Sequence, residues 1–341
     1  MCKKNFIEYL NSIKKPWKFL APMVGNCEQA YRILARKYGA DVCYTEMVNC
    51  KVFNRSKCNP VDNIWYSTSN IDRPLVVQIC GDDPEAMLQT CLSVQDCCDA
   101  IDINFGCPQD VAKRGHYGSY LQDEWDLISR IVSTCTLGIK IPLFCKIRVF
   151  DSIEKTVEYA KIFEKAGASL LVVHGRTREQ KGVNTGLASW EHIRAVKAAL
   201  NIPVVANGNM ILHGDIQRCW EHTGCDGVMI AEPHLFNPSI FAGQRISSLS
   251  IFCDYLNIVK SNTNLFVNGD AKSHCFKIFN TLLTKIPSLR TVLDKSRSLD
   301  DYFEFCRLVE DMLKQSKIAE GDLAMHPYIR NRDVQSMNNG T

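Results

Sequence analysis

Eight short runs rich in Val, Ile, Leu and Cys recur through the first 232 residues, with longer segments between them. The runs are FLAPM (19–23), VCYTEM (42–47), PLVVQIC (74–80), AIDINFG (100–106), PLFCKIRVF (142–150), LLVVHGR (170–176), PVVANGN (203–209) and GVMIAE (227–232). A strand with one wet face alternates polar and apolar residues. A strand buried on both faces of a parallel sheet stays apolar, as most of these do. The intervening segments have a different period, as in TVEYAKIFEKAGA (156–168) and SWEHIRAVKAALN (189–201). The second begins Ser-x-x-His and brings Trp190, Ile193, Val196 and Ala199 close to helical spacing. Strand then helix, eight times over, predicts an α/β fold of the (β/α)8 TIM-barrel type. The competing layout is an open doubly wound sheet, and no G-x-G-x-x-G follows the first strand to support it.

Past residue 240 the strand rhythm stops, and residues 245–325 carry helical patterns only, such as DYLNIVKS and LDDYFEFCRLVEDMLKQSKI. The expected division is a barrel domain over 16–243, a C-terminal all-helical domain over 244–330 and a disordered tail over 331–341. The 46% hydrophobic and 23% charged composition excludes collagen-like and largely disordered chains. No run approaches the roughly 18–20 apolar residues of a membrane span. The opening MCKKNFIEYLNSIKKPWKFL has no signal-peptide core, so an intracellular protein is expected, cytoplasmic or with the nucleus as the alternative. The 17 cysteines are odd in number, dispersed and without any C-x-x-C pair. That argues against a disulfide framework, a zinc ribbon or a thioredoxin motif, and no metal is expected. The helical region leaves no obvious self-complementary apolar stripe, and a monomer is expected.

A (β/α)8 barrel carries its active site at the C-terminal ends of its strands. The polar residues falling there are Glu46, Gln78, Asn104, Lys146, Arg148, His174, Arg176, Asn207, Asn209 and Glu232, with Pro22-Met23 ending the first strand. Burying Gln, Lys and His is costly unless each is paired, and a single one is explained as a satisfied core group. Their coincidence at one end of one barrel points to a ligand. The backbone N–H groups of A-N-G-N (206–209) suit an anion, and barrels hold phosphates near strands seven and eight. Gln78, Lys146 and His174 come from three strands and suit a flat heterocycle. A lysine beside the pyrimidine part of a flavin stabilises the charge it gains on reduction. Together these point to flavin mononucleotide (FMN) across the barrel mouth. Among the thiols Cys107 stands out, because N-F-G-C-P-Q places it on a loop just beyond strand four. That loop continues through Lys113, Arg114 and His116, as a lid over an anionic or nucleic-acid substrate would.

These residues also resemble a known family. A-P-M, V-Q, D-I-N-x-G-C-P with its following K-R-G, C-K-I-R, V-H-G-R-T and A-N-G-N, in this order over residues 16–245, are similar to the tRNA-dihydrouridine synthases. D-E-W-D-L, R-E-Q-K-G, A-S-W-E-H-I and, more loosely, K-S-H-C-F-K resemble the eukaryotic branch acting at positions 16 and 17 of the tRNA D-loop. The resemblance implies an FMN enzyme that takes hydride from NADPH or NADH and reduces the C5–C6 bond of a uridine. FMN would be held by Pro22, Met23, Gln78, Lys146, His174, Asn207, Gly208, Asn209, Ala231 and Glu232. Flavin N5 would deliver hydride to C6, and Cys107 would protonate C5. Asn104, Lys113, Arg114 and Arg178 would meet the tRNA, whose target base must leave its stack to reach the barrel mouth. Pro233 stands where the family commonly has a glycine, and it has no N–H to offer a phosphate.

Net charge is only +3, but residues 260–297 hold seven Lys and Arg against two Asp. This run fits a tRNA-docking surface as well as a solvated helix face. Three other readings compete: an FMN barrel for a small pyrimidine such as dihydroorotate, a Schiff-base aldolase using Lys146, and an RNA-binding protein using the barrel as scaffold.

Overall fold

The computed structural model describes residues 3–55 and 67–323; the expected tail over 331–341 lies outside them. Eight parallel strands close into one barrel in sequence order: β1 (Trp17–Leu20), β2 (Val42–Asn49), β3 (Leu75–Cys80), β4 (Ala100–Phe105), β5 (Leu143–Arg148), β6 (Leu170–His174), β7 (Val204–Asn207) and β8 (Gly227–Ile230). β8 closes on β1 through Trp17↔Gly227 to Leu20↔Ile230. Each expected run contributes one strand, and the expected helices appear at Ile153–Lys165 and Trp190–Ala199. The second starts where Ser189 Oγ accepts from the His192 N–H, satisfying one amide that the helix cannot.

Side chains within each strand point alternately outward, to the helices, and inward. The outward set, including Ile101, Ile103, Cys145, Ile147, Leu171 and Val173, joins the large core between barrel and helices. The inward set changes character along the strand. Phe19, Tyr44, Val76, Ala100, Phe144, Val172, Val205 and Met229 fill the lower barrel. Gln78, Asp102, Asn104, Lys146, Arg148, His174 and Asn207 follow at inward positions nearer the C-terminal ends. Polarity thus rises toward one mouth, and register keeps these residues side by side: Gln78↔Asp102, Asn104↔Lys146, Arg148↔His174 and His174↔Asn207. The opposite end is closed by the N-terminal helix Lys3–Ser12, which brings Phe6 and Leu10 into the inner cluster. Phe6 stacks on Phe144 at 5.8 Å between ring centroids.

The C-terminal region is helical as expected, with its longest helices at Ser248–Ser261, Asn268–Ile278 and Leu299–Lys314. Its apolar residues, among them Phe252, Tyr255, Leu256 and Phe305, belong to the same cluster as the barrel's outer layer. A buried polar joint adds to this contact. His274 Nε2 donates to Glu28 at 2.9 Å, and the Tyr255 hydroxyl reaches the same carboxylate at 3.1 Å. Lys277 Nζ and Ser273 Oγ meet Asn26 Oδ1 at 2.7 and 3.2 Å. The K-S-H-C-F-K motif is therefore where the helices grip the segment after β1. Among the described residues no helix is long and apolar enough to cross a membrane.

Candidate active site at the barrel mouth

On the β3–β5 side the polar groups answer one another. Gln78 Nε2 donates to Asp102 Oδ2 at 2.8 Å, and Gln78 Oε1 accepts from Asn104 Nδ2 at 3.0 Å. Asn104 Oδ1 in turn accepts from the N–H groups of Gly106 and Cys107 at 3.0 and 2.8 Å. Cys107 is half-buried, and its carbonyl accepts from Ser119 N and Oγ at 3.1 and 2.9 Å. Gly118 lies so close that a Cβ there would stand 2.7 Å from the same carbonyl oxygen, and its φ of +68° suits glycine. Lys146 makes no hydrogen bond or ion pair to any described residue. Burial, with Arg148 nearby, brings its pKa down to about 8. Burial pushes the Asp102 carboxyl up to about 7.

Around β6–β8 lies a cavity of about 260 Å³, lined by Arg148, His174, Arg176, Lys181, the 207–211 segment and the 229–233 segment. Burial, reinforced by Lys146, Arg148 and Arg176, holds the His174 pKa well below its usual value. Neutral His174 faces the Arg176 guanidinium, Nε2 to Nη1, at 3.3 Å. Three cations against the single Glu232 carboxylate, with a neutral imidazole, leave the cavity wall net positive, which favours an anion. Gly208 has a φ of +116°, and a Cβ there would lie 2.6 Å from Ala188 Cβ, so only glycine fits this close approach.

The mouth is framed by loops that the arginines tie together. Arg148 donates to the Gly106 carbonyl at 2.8 Å and to those of Thr177 and Gln180 at 2.6 and 3.1 Å. Arg178 reaches Asp123 at 3.0 Å and Ser119 O at 3.3 Å, and it lies over the Tyr120 ring. Lys181 bonds Pro108 O, Asp110 and the Tyr120 hydroxyl at 2.9, 3.0 and 3.3 Å. His116 sits between Asp82 and Glu124. The segment after Cys107, expected as a lid, is thus fastened from several sides.

Besides Arg178, fastened to Asp123 and Ser119 at the rim, the residues singled out from sequence fall into four groups. His174, Asn207, Gly208, Asn209, Ala231 and Glu232 line the cavity. Gln78, Asn104, Lys146 and Cys107 belong to the β3–β5 side, and Pro22 and Met23 are half-buried just past β1, where Met23 N–H meets Cys27 Sγ at 3.1 Å. Lys113 and Arg114 are exposed on the short helix Asp110–Gly115. Two amides have structural tasks: Asn207 Nδ2 donates to Met229 O, and Asn209 joins Ala188 N and O with Arg176. Pro233 lies at the start of the short helix Glu232–Phe236 on the cavity wall. Sequence reasoning passed over Asp102, although an acid inside an apolar strand two residues before Asn104 is itself a signal. It also passed over Lys181, quoted only inside R-E-Q-K-G.

Fold and site together define a barrel enzyme with an anion-accepting mouth and a thiol on its rim. The match to the family model of dihydrouridine synthase (Dus) covers residues 19–311, and the chain belongs to that family. It is 44% identical over 323 residues to a mouse protein named tRNA-dihydrouridine(16/17) synthase [NAD(P)(+)]-like, covering 91% of this chain and 68% of that one. It is 46% identical over 299 residues to the Saccharomyces cerevisiae tRNA-dihydrouridine(16/17) synthase [NAD(P)(+)], covering 84% and 70%. A mouse tRNA-dihydrouridine(20a/20b) synthase [NAD(P)+]-like protein is 34% identical, over 75% of this chain and 78% of that one.

Proposed function

We propose that this protein is an FMN-dependent tRNA-dihydrouridine synthase, reducing the C5–C6 bond of uridine at D-loop positions 16 and 17 with NADPH or NADH as donor. The observation that carries the reading is one barrel mouth joining the loop thiol Cys107 to a cavity bearing Arg148, Arg176 and Lys181. The site fits the cofactor on three counts. The cations and Gly208 border the cavity, Lys146 makes no hydrogen bond or ion pair to any described residue, and Asp102 Oδ1 is buried without a hydrogen-bond partner among them. The phosphate end belongs with His174, Asn207, Gly208, Asn209, Ala231 and Glu232, and the ring system with Pro22, Met23, Gln78 and Lys146. When bound, the reduced flavin supplies hydride to C6 of the uracil ring.

The remaining work falls to the chain. Lys146 offers positive charge to the pyrimidine part of the flavin, where negative charge grows on reduction. Cys107 gives its thiol proton to C5 of the substrate, acting as general acid. Asn104 keeps one amide N–H in reserve for the base. Exposed Lys113 and Arg114 meet backbone phosphates, and Arg178 contributes near the flipped nucleotide.

The basic run is the weaker part of the docking surface. Lys272, Lys277, Lys285, Arg290 and Arg297 each bond within the chain. Lys260 and Lys295 are exposed without a hydrogen bond to any described residue, so tRNA docking rests on these two and on the Cys107 loop.

An absorption spectrum followed by anaerobic NADPH tests the proposal. Flavin bands that bleach, and recover on adding unmodified tRNA, are the expected result. Recovery with a free pyrimidine but not with tRNA transfers the site to a small substrate. A colourless protein that does not take up FMN overturns the reading.

A further inference from the structure

We infer that Asp102 is a positioning residue that fixes the orientation of two side-chain amides and, through them, the loop bearing Cys107; the inference rests on Cys107 being the proton donor proposed above. An amide side chain carries oxygen on one arm and nitrogen on the other in nearly the same shape, so its neighbours must choose the orientation. Here both ends choose. At the inner end, Asp102 Oδ2 accepts whether the acid is ionised or carries its proton on Oδ1, so Gln78 presents Nε2 to it at 2.8 Å. That turns Gln78 Oε1 outward, where Asn104 must present Nδ2 at 3.0 Å. Asn104 Oδ1 then faces the outer end, where the Gly106 and Cys107 N–H groups donate only.

Starting from the outer end gives the same answer. Turning Gln78 alone would set oxygen against the Asp102 carboxylate and nitrogen against nitrogen at Asn104. Turning Asn104 as well would leave the Gly106 and Cys107 amides facing donors. The chain therefore holds or fails as a unit, and it spans from the buried barrel interior to the thiol's own backbone.

Asp102 is fully buried, and its Oδ1 has no hydrogen-bond partner among the described residues. A leucine-sized apolar residue would fill this space without leaving an orphan oxygen. What the acid adds is a fixed acceptor at the end of the chain. Its neighbour across the sheet, Gln78, faces the proposed cofactor, while Asn104 faces the proposed donor loop. Asp102 thereby ties the two reacting partners to one reference point.

Hydrogen–deuterium exchange of the full chain, read by mass spectrometry on the peptide spanning 104–108, tests this without requiring flavin. Asp102→Val, which cannot accept, should speed exchange of the Gly106 and Cys107 amides by about tenfold or more. Asp102→Asn, which keeps an acceptor oxygen, should stay within about threefold of the parent. Stopped-flow traces should show Asp102→Val slowing flavin reoxidation by tRNA more than bleaching by NADPH. A folded Asp102→Val protein with unchanged exchange overturns the inference. If that variant does not fold, Gln78→Met cuts the chain one link further out and must show the same release. If exchange responds but no variant or parent binds flavin, the proposed function fails while the positioning role stands.

Discussion

On the β3–β5 side of the barrel mouth Gln78, Asp102 and Asn104 consume one another's hydrogen bonds, whereas on the β6–β8 side Arg148, Arg176 and Lys181 surround an open cavity. The first arrangement orients groups that must not move. The second sets positive charge around open space, although each of these cations also bonds the loops that frame it. Arg148 belongs to both, because it lines the cavity while its guanidinium holds the Gly106 carbonyl next to Cys107. The difference teaches that the two halves should fail differently when damaged: at the Cys107 loop first in turnover, at the cavity cations first in retention of the cofactor's phosphate.

The largest effect should follow Cys107→Ala. Removing the proposed acid should cost about 10²- to 10⁴-fold in uridine reduction, measured as dihydrouridine formed per minute, while flavin content stays at the parent level. Loss of flavin in this variant would erase the distinction between the halves. Arg176→Ala attacks the other side. Losing a charge-assisted contact of about 1.5–3 kcal/mol should weaken FMN binding to the apoprotein about tenfold to hundredfold, by fluorescence titration, with Cys107 alkylation unaltered.

A pH series sharpens the satisfied half. Asp102 has its pKa raised from 3.8 to about 7, so its neutral form is the one the fold favours. Its contribution to stability is complete below pH 4 and is lost as pH rises through 7. Lys146, lowered to about 8, works the other way and is already charged across that window, and Tyr44 and Cys145, also near Asp102, titrate far above it. The parent should therefore lose unfolding free energy between pH 4 and 7 relative to Asp102→Asn, by urea denaturation at each pH. A flat difference would mean that Asp102 stays ionised throughout.

The smallest effect belongs to the loop fastening. Glu124 and Asp82 raise the His116 pKa, so its ion pairs are present at low pH and fade as pH rises through that raised value. His116 is about half exposed, at 48%, and solvent screening limits His116→Ala to under about 1 kcal/mol at pH 5.5, vanishing by pH 8.5. A larger cost would show that the Cys107 loop depends on this anchor more than on Arg178 and Lys181.

The barrel was legible because both-face burial leaves continuous apolar runs, and most of the mouth was legible because polar residues sit at the ends of those runs. What the sequence hid were relations between distant positions. Lys181 meets Tyr120 across 61 residues, and no local pattern announces such a bond. The opening segment showed only that it lacks a signal-peptide core, and nothing local announces that its helix Lys3–Ser12 delivers Phe6 and Leu10 to the barrel floor. The basic run 260–297 shows the converse. Its charge was visible, but five of its cations bond to carbonyls, carboxylates and amides of the same chain, with Lys285, Arg290 and Arg297 still exposed.

Because Phe252, Tyr255, Leu256 and Phe305 share their core with the barrel's outer layer, the C-terminal helices are no detachable module. A truncation near residue 244 would be a cut through an interior, baring a greasy flank on the barrel and stranding Glu28 without His274 and Tyr255. Heat should melt both parts in one calorimetric peak, and limited proteolysis should release no stable barrel fragment. Point changes at Lys260 and Lys295, which leave that interior whole, are therefore the way to separate loss of tRNA grip from loss of the protein itself.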